Sequence, residues 1–142
     1  MTNPSDEISE PSKSQEDEKA TLIAELQQAG IKHTPEKILR IAKLSDGKIV
    51  FLEEGKGGKR GSGLKHILEN HQQEFATRGL SETNLPDAII NAVTQGEIVD
   101  YQQTNRPIYK ISFNHKIQLI AVTVADNGYI VCANPGSLRR SR

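Results

Sequence analysis

Two patterns predict an α+β domain with N-terminal helices packed on one face of an antiparallel sheet. Apolar residues recur at helical spacing through much of the first 95 positions, whereas beyond residue 97 they form short runs joined by hairpin-length turns. The size agrees, because a chain near the 142 residues found here buries roughly 68–70% of its unfolded surface as one domain. With 35% hydrophobic and 4% aromatic residues, the core must be built from Ile, Leu, Val and Ala.

In chain order, residues 1–19 hold mostly Ser, Pro, Glu and Asp and predict a disordered acidic tail. Leu22, Ile23 and Leu26 line one side of a short helix stopped by Gly30. A second helix is expected from Thr34 as cap and Pro35 as first residue, with Ile38, Ile41 and Ala42 at helical spacing before the Ser45-Asp46-Gly47 turn. Lys48 to Glu53 reads as the first strand, which closes an N-terminal unit of residues 20–54. The stretch GKGGKRGSG, Gly55 to Gly63, predicts a flexible basic loop. Leu64, Ile67, Leu68, His71 and Phe75 then mark one buried helical stripe, and a further helix spans Leu85 to Gln95. Strands follow at Glu97 to Gln102, Pro107 to Phe113, Ile117 to Val124 and Tyr129 to Ala133. Residues 55–138 thus form the expected functional core, ahead of a basic tail over 139–142.

Charge sharpens the question of partners. The net charge is zero, yet residues 1–18 carry six acids against Lys13, leaving 17 cations against 12 acids over residues 19–142. A modestly basic body suits a polyanion such as RNA, although ordinary solvated domains reach similar values. Cys132 is the single cysteine, which excludes an intramolecular disulfide and a CxxC zinc pair. No run approaches the ~18–20 apolar residues of a membrane span, and the acidic start is unlike a secretory leader. A cytoplasmic protein without a membrane partner is expected.

His66 lies in the first turn of the helix after the basic loop, where free N–H groups and the helix dipole favour a phosphate. Lys65, Lys56, Lys59 and Arg60 surround it in sequence, and these charges should push the imidazole toward the neutral form that a general base requires. A surface histidine is the competing reading. His71 falls in the apolar stripe, as a structural histidine or one that orients a neighbour. His33 and His115 are expected to face solvent. The glycine-rich loop matches neither the Walker A pattern nor a dinucleotide fingerprint, and no cluster has metal-ligand spacing, so neither a metal nor a cofactor is expected. RNA cleavage fits these constraints because the 2′-OH supplies the nucleophile. Tyr109 shares its strand face with Ile111 and Phe113 and also reads as a core tyrosine. Thr123 is equally a β-favouring strand filler, while Asn134 and Ser137 are equally explained by turn chemistry after the last strand.

The segments Gly63-Leu64-Lys65-His66-Ile67-Leu68 with His71, Pro107-Ile108-Tyr109-Lys110-Ile111, and Asn127 to Pro135 (NGYIVCANP) together resemble the barnase/EndoU/colicin/RelE-like (BECR) nucleases, the short RNase domains of bacterial polymorphic toxins and phages. The likeness covers roughly residues 48–137. It implies helices preceding a curved antiparallel sheet, with the site in the sheet's concavity. It further implies His66 as the catalytic histidine, Lys65 as a phosphate contact, His71 as the second histidine of that helix, Tyr109 and Thr123 as the polar positions of the later strands, and Asn134 or Ser137 as the terminal small polar group. Tyr109, Thr123 and Ser137 are expected to complete the catalytic group, with His71 and Asn134 as substrate contacts. Arg106, immediately before its strand, joins Lys56, Lys59 and Arg60 as an expected substrate contact. The expected function is a metal-independent endoribonuclease of toxin type acting on RNA, tRNA included. A cognate immunity protein is implied as partner, and delivery into neighbouring cells would follow from a larger toxin. The competing readings are a non-catalytic RNA-binding module and a protein-interaction domain that uses the acidic tail.

Overall fold

The computed structural model describes residues 11–58, 60–103 and 106–137. The expected loop contact Lys59, the 139–142 tail and the first ten residues lie outside them. The chain is α+β; the described residues form three α-helices, a two-stranded and a four-stranded antiparallel sheet.

Helix α1 spans Pro11–Gln28. The disordered tail expected over residues 1–19 is therefore corrected in its second half, which continues the Leu22 and Leu26 helix toward the N-terminus. Both leucines are buried. The helix ends where Gly30 takes a φ of +72°, which lets the Ile31 N–H reach the Leu26 carbonyl.

The expected Thr34 helix is also corrected. A single 3-10 turn, Pro35–Lys37, leads into strand β1, Ile38–Lys43, which pairs with β2, Ile49–Glu53. A register shift between Ile38 and Arg40 lets positions three apart share a face, so Ile38 and Ile41 both pack toward α1. A bulged strand thus carries an apolar spacing that reads as a helix. Every residue of β2 is buried. Ile49 and Phe51 pack against α1, while Val50 and Leu52 join the main core on the opposite face.

Helix α2, Gly63–Thr77, and helix α3, Leu85–Gln95, follow as expected. They precede the meander β3 (Glu97–Gln102), β4 (Arg106–Phe113), β5 (Lys116–Val124) and β6 (Ile130–Pro135), ordered β3-β4-β5-β6. Asn114 and His115 both have positive φ, the signature of a tight hairpin turn. Ile111, Ile120, Val122 and Ala133 face the helices and form the main core with Ile67, Phe75, Leu85 and Ile89. Alternation sends Arg106, Ile108, Ala121, Thr123 and Asn134 to the other face. The β1–β2 hairpin meets this sheet at a parallel bridge between Phe51 and Tyr129. No described helix is long and apolar enough to cross a membrane.

Candidate functional site

The register of the meander puts one polar side chain from each of its strands on the face away from α2 and α3. Gln102 pairs with Arg106, and continuing the β4–β5 register sets Arg106 opposite Thr123. Asn134 pairs with Ala121, one diagonal step from Thr123. The Arg106 guanidinium lies across the sheet, its Nε donating to Thr123 Oγ1 at 2.6 Å and its Nη1 to Asn134 Oδ1 at 2.6 Å. Asn134, only 6% exposed, donates from Nδ2 to Gln102 Oε1 at 3.0 Å and to the Pro135 carbonyl at 2.9 Å. Gln102 therefore fixes which way the Asn134 amide points, and Asn134 with Thr123 fixes the plane of the guanidinium.

Both groups that hold Arg106 are neutral. Among the described residues no carboxylate lies at ion-pair distance from it. A guanidinium carries five N–H donors in a fixed fork, and Thr123 and Asn134 engage two of them. Such a group can receive the oxygens of a phosphate or carboxylate without first breaking an ion pair. Cys132 pairs with Thr123 across β5 and β6. Burial pushes its thiol above the usual cysteine range, against the smaller opposing pull of Arg106 and a backbone contact.

The second group of expected residues sits where the basic loop meets α2. Lys56 and Ser62 close the loop through a two-way backbone bridge, Lys56 N to Ser62 O at 2.8 Å and Ser62 N to Lys56 O at 2.9 Å. Gly63, with φ +78°, lies tight against Gly55 and the Glu53 carbonyl and opens the helix. Lys65 Nζ stands 3.8 Å from Glu54 Oε2, and Glu69 Oε1 accepts the Gly58 N–H at 2.9 Å, so two carboxylates temper the positive potential expected here. His66 Nδ1 lies 3.2 Å from both the Gly58 carbonyl and Asn70 Nδ2. These contacts ask for opposite states of one nitrogen: it donates to Gly58 or accepts from Asn70. His66 Nε2 has no hydrogen-bond partner among the described residues. Arg60 is exposed.

Other expected residues are placed apart from these groups. Tyr109 packs against the main core on the helix-facing side of the sheet and is corrected from a pocket residue to a core residue, because its strand alternates out of phase with Arg106. Asn134 belongs to β6 and not to a turn after it. His71 is half-buried and rests its Nδ1 3.2 Å from Glu74. Ser137 receives a long 3.5 Å contact from Arg78, whose Nη1 donates to the Gly136 carbonyl at 2.6 Å. Arg78 thus anchors the end of α2 to the end of β6. His33, expected in solvent, instead sets its ring edge against Phe51 and its Nδ1 2.7 Å from the Ile31 carbonyl. No hydrogen bond or ion pair among the described residues joins His66 or Lys65 to Arg106, Thr123, Asn134 or Ser137. Three or more His, Cys, Asp or Glu side chains grouped to hold a metal are likewise absent among the described residues.

Gln102 escaped the sequence reading, although a signal existed. The short β3–β4 connection pairs Gln102 with Arg106, and that pairing places both side chains on one face. The chain matches no protein-family model and no curated protein.

Proposed function

We propose that this protein is a metal-independent endoribonuclease in which the Arg106 cluster seats the scissile phosphate and His66 moves a proton. The observation that carries this reading is the guanidinium of Arg106, held by the neutral side chains of Thr123 and Asn134 in a fixed plane. Fixed positive donors aimed at a phosphoryl group stabilise the charge that develops as the 2′-OH attacks phosphorus, and they cost no reorganisation at that moment. The 2′-oxygen bonds to phosphorus, its proton passes to the base, and the bond to the 5′-oxygen breaks as an acid protonates it. The products carry a 2′,3′-cyclic phosphate and a free 5′-OH. With Nδ1–H donated to Gly58, His66 keeps a bare Nε2 suited to accept that proton. The likeness to BECR nucleases supports the same chemistry and suggests an immunity protein acidic enough to cover the Arg106 face.

The test incubates total RNA with the protein in EDTA beside His66→Ala and Arg106→Ala variants of unchanged circular dichroism. Cleavage in EDTA with cyclic-phosphate ends is expected, slowed by roughly 10²–10⁴ in His66→Ala and 10²–10³ in Arg106→Ala. Equal rates for all three proteins, or cleavage abolished by EDTA, would overturn the reading.

A second reading, non-catalytic RNA binding, is favoured by one observation: no described hydrogen bond links His66 to the Arg106 cluster. It predicts RNA retention that weakens steeply with salt, with no new RNA ends.

A further inference from the structure

At the tip of the basic loop, Gly58 is held to α2 through both of its backbone groups. Its N–H donates to Glu69 Oε1 at 2.9 Å, and its carbonyl oxygen lies 3.2 Å from His66 Nδ1. The same oxygen accepts the Gly61 N–H at 3.0 Å, which ties it to the chain returning toward Ser62. Two glycines permit this closeness. Gly58 has a φ of +92°, and a Cβ on Gly57 would overlap Glu69 Oε2, so the carboxylate rests directly on the loop backbone. The Lys56–Ser62 bridge closes only the neck of the loop. Among the described hydrogen bonds, Glu69 and His66 alone join its tip to α2.

The position of that tip determines which nitrogen of His66 carries the proton. Asn70 Nδ2 also lies 3.2 Å from Nδ1, but it already donates to the His66 carbonyl at 2.9 Å. A bare Nδ1 would set its lone pair against the Gly58 oxygen, whereas a protonated one bonds that oxygen and leaves Asn70 with the bond it has. With the tip in place, Nδ1 holds the proton and Nε2 is bare. With the tip released, Nδ1 keeps only Asn70 as a neighbour, the proton belongs on Nε2, and the nitrogen that should act as base is blocked.

We infer that Glu69 is a positioning residue: by fixing Gly58 it selects the His66 tautomer whose Nε2 can accept a proton. The consequence for cleavage rests on the ribonuclease reading above, while the tautomer can be observed without it.

The test reads both His66 nitrogens by long-range proton–nitrogen-15 correlation spectra of the full chain at about pH 8.5, where an ordinary histidine is neutral. The unaltered chain is expected to show Nδ1–H with a bare Nε2. Glu69→Gln should keep that pattern, because its amide oxygen still accepts the Gly58 N–H without the charge, and Glu69→Ala should change to Nε2–H. RNA cleavage by Glu69→Ala should fall roughly ten- to hundredfold, in kcat more than in KM. Should Glu69→Ala not fold, Glu69→Ser, equally too short to reach Gly58, is read in its place. Nε2–H in the unaltered chain, Nδ1–H retained in Glu69→Ala, or the same change in Glu69→Gln as in Glu69→Ala would each overturn the assignment. The two readings fail separately. A chain whose tautomer follows residue 69 yet leaves RNA intact loses only the cleavage chemistry, and one that cuts RNA with His66 in the Nε2–H form loses only the role of Glu69.

Discussion

A side chain on this sheet takes its role from the face it lands on, and neighbouring positions on one strand therefore have unrelated chemistry. Arg106 reaches two neutral acceptors on the face away from α2 and α3, while Tyr109, three residues on, is pressed against the main core. Desolvation, with Tyr101 adding in the same direction, pushes the Tyr109 hydroxyl above the usual tyrosine range. An acid that holds its proton more tightly when folded gives a stability contribution intact below its unfolded pKa and lost as pH rises through the folded one. For Tyr109 the loss begins above about pH 10, and for Cys132, also shifted upward, above about pH 8.5. Urea midpoints measured from pH 8 to 11 should fall more steeply for the unaltered chain than for Tyr109→Phe. Parallel curves would show that the Tyr109 hydroxyl is equally solvated in both states.

Among the elements, the seam between the β1–β2 hairpin and the four-stranded sheet is the most demanding join. The Phe51 N–H donates to the Gly128 carbonyl at 2.9 Å, and Gly128 holds a φ of +96°. A Cβ there would stand on the Ile49 carbonyl, a backbone atom that cannot swing away. Gly128→Ala combines a strained backbone with this overlap and should cost more than about 2 kcal/mol in urea unfolding, whereas Gly47→Ala, whose Cβ meets nothing, bears the φ strain alone. Equal losses would place the seam elsewhere. Much of this level was legible in the sequence: α2, α3 and the meander announced themselves through long apolar stripes and short turns. β1 did not, because its bulge brings Ile38 and Ile41 to one face and imitates helical spacing. The start of α1 was hidden too, since its polar composition signals only the missing core contacts and not the helix itself. At the site, Thr123, Asn134 and Arg106 were legible as polar groups near strand ends. Their assembly, and Gln102's part in it, depended on a register that composition does not carry.

At the scale of the whole chain, two apolar clusters share one strand. Leu22, Leu26, Ile38, Ile49 and Phe51 form the smaller cluster, and Val50 and Leu52 project from the same strand into the larger one with Ile89 and Phe75. Alternation along β2 makes its backbone the wall of both, so neither cluster can lose its packing while the other keeps an ordered β2. Leu26→Ala empties a fully buried position in the smaller cluster, at a cost of about 2–5 kcal/mol depending on how far the site collapses. The native methyl signal of Ile89, fully buried on the far side of β2, should then vanish at the same lowered urea concentration as the helical circular dichroism. An Ile89 signal that persists to the unaltered midpoint would mean that α1 and its hairpin unfold on their own.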